Sequence, residues 1–128
     1  MLRLFSLFSL FGKSAAINAL DDALRVFGVH PLLVPEAVKL TVIRLHRRDG
    51  AAAQDHRLGQ AAELLAYGIL GPEAFAEAND ADAAARADHR LEAAISAGDS
   101  PDAKLVLLLL HAGLVAPDLA DRIEAEDL

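Results

Sequence analysis

Cysteine and tryptophan are missing from this chain of 128 residues, and lysine occurs only three times. Without cysteine the chain has no disulfide framework, no thiolate nucleophile and no cysteine-ligated metal site. The lack of cysteine also suits a reducing compartment, so we expect a cytoplasmic protein. The formal net charge of −7 and the shortage of lysine argue against a nucleic-acid surface, because phosphate binding depends on clustered basic side chains.

Sequence motifs for catalysis and cofactor binding are also missing. The chain has no H-E-x-x-H, no G-x-S-x-G, no glycine-rich phosphate loop and no dinucleotide fingerprint. The triplet from Gly12 to Ser14 resembles the end of a phosphate loop, but it lacks the upstream glycine and the preceding strand. We therefore predict a non-enzymatic protein with no catalytic residue, no cofactor and no metal.

Two histidine and glutamate pairs keep a ligand-binding alternative open. His56 with Glu63, and His89 with Glu92, have spacings that place each pair on one face of a helix. No histidine has a carboxylate three residues before it, so the Glu-x-x-His motif of carboxylate di-iron bundles is absent from the sequence. If the four side chains converge near Tyr67, the chain is a ligand- or metal-binding helical bundle, and the sequence alone does not decide whether they do.

The composition and the turn signals indicate an all-α protein. Alanine and leucine dominate, and 54% of the residues are apolar. A glycine followed by apolar residues and a proline, which ends one helix and begins the next, occurs at Gly28–Pro31, Gly68–Pro72 and Gly113–Pro117. We predict a compact bundle of three helical hairpins, about six helices, with a short α-solenoid of three helix pairs as the alternative. The expected segments are 14–27 with 35–48, 54–67 with 72–97 broken near Asn79, and 101–112 with 117–128.

Apolar patterning predicts which helices are buried. The run from Leu105 to Leu110 is apolar on every side of a helix, so we expect it to be enclosed. The segment from Asp82 to Ala97 is mostly alanine, with Leu91 and Ile95 as its bulky side chains, so we expect it at the surface. One domain, residues 13–128, accounts for all of these helices.

The first twelve residues form a separate amphipathic segment. Counted at about 100° per residue, its apolar stripe falls opposite the apolar stripe of the next helix, which is made by Ile17, Leu20, Leu24 and Phe27. One straight helix cannot present both stripes to one core. Either the chain breaks near Gly12, or the aromatic face of the segment turns away from the domain. The residues of that face are Leu4, Phe5, Leu7, Phe8 and Phe11.

The segment has several candidate roles. Arg3 and Lys13 bracket too few apolar residues for a membrane span of about 20, and no clean signal-peptide cleavage pattern follows. A broken helix folded back over the core remains one interpretation. We favour contact with a partner protein or a second copy of the chain, because two basic residues are too few for strong attraction to anionic lipid. The predicted function is a helical interaction or assembly module, with a peripheral membrane-surface protein as a further alternative.

Overall fold

The computed structural model describes the backbone of residues 15–46 and 51–127 and the side chains of residues 15–46 and 54–124. Within these residues the chain forms seven α-helices and one 3-10 helix, and it has no strand. The all-α prediction is confirmed. The elements are α1 over residues 15–26, the 3-10 helix Pro31–Leu33, α2 Glu36–Leu45, α3 Ala51–Leu70, α4 Pro72–Ala78, α5 Ala81–Ala97, α6 Pro101–His111 and α7 Pro117–Asp127.

Helix α6 lies at the centre of the packing. It contacts α2, α3 and α5, while α4 packs against α3 and α5, and α7 packs against α5. The contact between α2 and α6 joins the first helical pair directly to the third. In a linear solenoid each pair contacts only its neighbours, so this contact identifies a compact bundle. The prediction of a compact bundle is confirmed, and the alternative of an α-solenoid is not.

Side-chain caps define the beginnings of α5 and α6. Asp80 precedes α5 and accepts a hydrogen bond from the Ala83 N–H at 2.6 Å. Ser100 precedes α6 and accepts from the Ala103 N–H at 3.1 Å. Each cap satisfies a backbone donor that the helix leaves without a partner. The cap at Asp80 also confirms the predicted break, which divides the fourth expected segment into α4 and α5.

The glycine corners are confirmed at two places and corrected at the third. Gly28 and Gly113 have φ values of 95° and 70°, in the left-handed region that glycine occupies without strain. At the second corner the residue with positive φ is Gly71, at 86°, and the predicted Gly68 lies inside α3. The helix therefore runs three residues further than the sequence pattern suggested, and the proline at Pro72 begins the next helix directly.

Gly68 has a packing role instead. A Cβ atom at this position would lie 2.8 Å from the Leu109 Cδ1, so the missing side chain allows α6 to approach α3 closely. The carbonyl of Gly68 also accepts a hydrogen bond from the Ala116 N–H at 2.8 Å. This bond fixes the chain just before α7.

One core includes side chains from all seven helices. Each fully buried leucine contributes about 1.5–3 kcal/mol relative to an exposed one. Helix α6 is less enclosed than predicted, because the Leu107 side chain is 46% exposed. The largest fully buried side chains are Leu20, Leu24, Val29, Val42, Leu58, Leu64, Leu65, Tyr67, Phe75, Leu105, Leu109 and Leu119.

Helix α5 is more enclosed than its composition suggested. One of its faces is exposed, as predicted, but Ala83, Ala87, Leu91 and Ala94 are buried against neighbouring helices. Small alanine side chains let helix backbones approach closely, so an alanine-rich face can pack on several helices at once. Scarcity of bulky residues was therefore a poor guide to exposure here.

A buried ion pair joins α1 to α2. The Lys39 Nζ lies 2.9 Å from the Asp21 Oδ1, and Lys39 as a whole is only 7% exposed. A charge this deeply buried needs a partner, because removing one partner leaves the other uncompensated in a poorly solvating environment. The pair fixes how the two helices lie side by side.

Candidate functional site

The five predicted contact residues, Leu4, Phe5, Leu7, Phe8 and Phe11, lie outside the described residues. The described chain begins with α1, which buries Leu20 and Leu24 completely. Its exposed face carries Ala15, Asn18, Asp22, Arg25 and Val26.

Helical register relates this exposed face to the N-terminal segment. In one continuous helix with about 100° per residue, positions 4, 8 and 11 would fall on the side of Asp22 and Val26. They would fall away from the side of Leu20 and Leu24. The side that the structure leaves exposed in α1 is thus the side on which a continuous helix would carry the N-terminal apolar stripe.

An exposed apolar corner follows α1. Val26 is 74% exposed, Leu32 is 85% exposed and Leu33 is 57% exposed. These three residues, which we call the apolar corner, lie within one short stretch of chain at the end of α1 and in the 3-10 helix. Among the described side chains, only one other large apolar residue, Leu107, is comparably exposed, and it lies on α6. Exposed apolar side chains that are close in sequence make this corner a candidate contact surface.

The local sequence explains why these leucines face outward. Val29, Pro31 and Val34 are buried and hold the connection between α1 and α2 against the core. The His30 Nδ1 accepts a hydrogen bond from the Leu32 N–H at 3.1 Å and so begins the 3-10 helix. Because this turn is bounded by buried residues on both sides, Leu32 and Leu33 project into solvent.

The corner is attached firmly to α4. Phe27 stacks on Phe75 with ring centroids 6.4 Å apart, and the Asn79 side-chain amide donates to the Phe27 carbonyl at 3.0 Å. Gly28 lies so close to Ala78 that an added Cβ would come within 2.7 Å of the Ala78 Cβ. The apolar corner is therefore presented from an anchored backbone, which lowers the entropy lost on binding.

A charged cluster connects α3, α5 and α7. The Tyr67 hydroxyl donates to the Asp88 Oδ1 at 2.6 Å, and the Arg122 guanidinium donates to the same oxygen at 2.6 Å. Arg122 also pairs with Glu92. Because Tyr67 is only 1% exposed and engaged with its neighbours, the cluster has the character of a structural attachment for α7.

The pKa values in this cluster reflect the same contacts. Burial and the hydrogen bond to Asp88 raise the pKa of Tyr67, so its hydroxyl remains a donor. The hydrogen bond from Arg122, with that from Tyr67, lowers the pKa of Asp88 despite partial burial. The same bond to Asp88 raises the pKa of Arg122. All three groups are held in their ordinary charge states, which does not equip them for proton transfer at neutral pH.

A second charged cluster lines a groove between α3, α5 and the beginning of α6. The groove has a volume of about 420 Å³ and His46 and Arg57 line it together with Arg90. Arg90 donates to both carboxylate oxygens of Asp102, at 3.2 and 3.0 Å, and lies 3.5 Å from a Glu63 oxygen. Its guanidinium is therefore satisfied by the protein itself and offers little to a ligand.

The histidine and glutamate pairs do not form one site. Glu63 contacts Arg90, whereas Glu92 contacts Arg122 in the separate cluster. His56 and His89 are exposed. In the part of the chain that the structure describes, no group of three or more histidine, aspartate or glutamate side chains has the arrangement of a metal site.

Comparison with known proteins gives no match: no family model fits the chain, and no curated protein or solved structure is detectably similar to it. Within residues 15–46 and 51–127, no helix combines the length and apolar character needed to cross a bilayer. The fold and the described surface therefore define a class, a small helical bundle with an anchored apolar corner. Gly28 and Pro31 predicted the position of this corner in the sequence, but its exposure was not predicted. The only sequence signal of that exposure is the pair of leucines that follows the proline.

Proposed function

We propose that this chain is a small non-enzymatic helical module of the cytoplasm that works by protein contact or assembly. The contact surface consists of the N-terminal residues Leu4, Phe5, Leu7, Phe8 and Phe11 together with the apolar corner. The observation that carries the proposal is the exposure of Val26, Leu32 and Leu33 on a backbone anchored by Phe27 and Asn79.

The energetics of the corner favour contact. Fully burying a valine or leucine side chain is worth about 1.5–3 kcal/mol, and the corner offers three such side chains. A few well-buried side chains usually supply most of the energy of a protein contact. An anchored apolar surface, on a chain whose first eleven residues include three phenylalanines, can therefore hold a partner without large rearrangement.

A protein surface suits this region better than lipid. The N-terminal segment contributes only Arg3 and Lys13 as basic residues, and the exposed face of α1 includes the acidic Asp22. Binding of amphipathic helices to anionic membranes relies on several basic side chains near the apolar face. We therefore propose a protein as the partner, and binding to anionic vesicles is measured as the competing result.

The experiment compares four forms of the protein by size-exclusion chromatography with light scattering and by retention of partners. The forms are the full chain, a deletion of residues 1–12, the double variant Leu32→Asp with Leu33→Asp, and Leu107→Asp as the matched control. We expect the full chain and the control to associate, and the deletion and the corner variant to be monomers without partners. Circular dichroism checks that all four forms are equally helical.

Two results would contradict this function. The first is that all four forms are monomers of equal stability that retain neither a protein nor vesicles containing anionic lipid. The second is that the deletion lowers the stability of the bundle, which assigns the N-terminal segment to the core. Retention by vesicles alone, lost on deletion of residues 1–12, would replace the proposal with membrane attachment.

A further inference from the structure

We propose that α7 is a displaceable cover, and that the groove beneath it binds a basic amphipathic helix of another protein. The groove lies between α5 and α6 and consists of other residues than the apolar corner, so this inference goes beyond the proposed function and does not depend on it. A helix that binds in a groove presents apolar side chains at positions i and i+4. Leu119 and Ile123, which are both buried, do this in α7.

The attachment of α7 to the bundle is limited. It packs mainly on α5, whereas α6 contacts α2, α3 and α5. Its apolar anchors are Leu119 and Ile123, and Arg122 pairs with Asp88 and Glu92 on α5. The charged side chains are partly exposed, so solvent weakens their attraction. An element with few buried contacts opens at a lower free energy than the rest of its domain.

The groove is only partly filled by α7. A cleft of about 100 Å³ remains beside Ile123, between α5 and α6. Unfilled apolar space loses dispersion contacts, and a bulkier side chain at the position of Ile123 would restore them. The groove therefore favours a helix with a larger apolar residue at this place. The other large side chains that line the cleft are Ile95, Val106, Leu107 and Leu110.

Charges around α7 favour a more basic helix. At the beginning of α7, Asp118 lines a small groove with Glu73 and Glu77, and among the described residues that line it none is basic. Arg122 is the only basic residue of α7, and it faces the two carboxylates of α5. A helix with lysine or arginine at the position of Asp118 would replace repulsion with attraction. The surface beneath α7 therefore complements a positively charged helix better than it complements α7.

The chain before α7 provides a hinge. Gly113 follows α6 with a φ of 70°, and the Ala116 N–H donates to the Gly68 carbonyl at 2.8 Å just before α7 begins. This attachment lies outside α7, so the helix can leave α5 as a unit while the other helices keep their contacts. Because α7 stays tethered, it competes with a free helix at a high effective concentration. It therefore inhibits binding of a partner until its own attachment is lost.

The test measures the binding of labelled synthetic peptides by fluorescence anisotropy. The probe peptide has the sequence of residues 116–128 with Asp118→Lys and Ile123→Phe, which supply the predicted charge and the predicted bulk. A control peptide carries Leu119→Asp in addition, so that it keeps the basic residues and loses an apolar anchor.

The peptides are added to three forms of the full chain. They are the unaltered chain, Arg122→Glu, which places a third carboxylate beside Asp88 and Glu92, and Arg86→Glu, which changes the net charge equally at an exposed arginine of α5. We expect the probe to bind Arg122→Glu at least tenfold more tightly than the other two forms. The control peptide should bind none of them.

Amide exchange and a second variant test the release of α7 directly. Exchange in α7 should be faster in Arg122→Glu than in Arg86→Glu, and addition of the probe to the unaltered chain should raise it further in α7 alone. Leu119→Asp in the chain, which removes a buried anchor of α7, should also increase the affinity for the probe. Circular dichroism checks that each variant remains folded.

Three results would overturn this inference. In the first, the probe binds the unaltered chain and both releasing variants equally, or binds none of them. In the second, the control peptide binds as tightly as the probe, which would show attraction by charge alone. In the third, neither releasing variant changes exchange in α7, which would make α7 a fixed part of the bundle. None of these results involves the apolar corner, so each leaves the proposed function standing.

Discussion

Glycines show how the same residue type takes different roles at the residue scale. Gly59 lies inside α3 and Gly98 follows α5, and at both positions no atom of the described residues lies within 4 Å of an added Cβ. They differ in backbone conformation, because Gly98 has a φ of 72°. Both sites therefore have room for a Cβ atom, and they differ only in backbone conformation.

We expect Gly59→Ala to raise the free energy of unfolding by about 0.5–1 kcal/mol, because alanine is the better residue in a helix. Gly98→Ala should lower it by about 1–2 kcal/mol, since the left-handed conformation is strained for alanine. Urea unfolding followed by circular dichroism measures both. If the two variants change stability in the same direction, backbone conformation is not what distinguishes these sites.

The attachment of α7 illustrates stabilisation at the element scale. Leu119 and Ile123 are buried, and Arg122 joins the helix to Asp88 and Glu92 on α5. The Arg122 side chain is 29% exposed, so solvent reduces the strength of these ion pairs. The helix therefore depends on two apolar anchors supported by one partly screened arginine.

We expect Arg122→Met to lower the free energy of unfolding at neutral pH by about 1 kcal/mol. Amide exchange should increase in α7 more than in α3 or α6, because α7 packs mainly on α5. Arg86→Met, at an exposed arginine on α5, serves as the control and should leave exchange in α7 unchanged. Equal exchange in α7 for both variants would show that Arg122 does not hold the helix.

The same cluster predicts an acid dependence of stability. Because the folded-state pKa of Asp88 is lowered, its contribution is present above the ordinary value of 3.8 and is lost as pH falls through the lowered value. In this range the unfolded state binds the proton first, so stability decreases with acid. Asp88→Asn should flatten this decrease below pH 3.8, as measured by urea unfolding across the acidic range. An unchanged dependence of the free energy of unfolding on pH would mean that other carboxylates cause the loss of stability in acid.

At the scale of the whole molecule, one core unites all seven α-helices of the described residues. The cluster runs from Ala16 in α1 to Ile123 in α7. The direct packing of α2 on α6 prevents the first and third helical pairs from acting as independent units. Small domains with a single core usually unfold in one cooperative step.

We expect helix content and the environment of Tyr67 to be lost together on heating. Tyr67 is the single tyrosine of a chain without tryptophan, so its fluorescence reports on the buried contact between α3, α4 and α5. Far-ultraviolet circular dichroism and tyrosine fluorescence should give the same midpoint. An earlier midpoint for tyrosine would indicate that this part of the core opens before the helices melt.

Helices and their ends were largely determined by the sequence. Asp80 and Ser100 act as caps and Gly28 and Gly113 take positive φ, because caps and left-handed glycines depend on interactions within a few residues. The opposed apolar stripe of residues 1–12 stays a prediction from spacing, because these residues lie outside the described part of the chain.

Tertiary structure alone decided the roles that depend on distant neighbours. Gly68 lies inside α3 against Leu109 and does not end the helix as predicted. Glu63 and Glu92 pair with two different arginines. Leu32 and Leu33 are exposed because the buried Val29, Pro31 and Val34 hold their turn against the core. Local spacing fixes the direction of a side chain from its own helix, but only packing determines whether another element covers it.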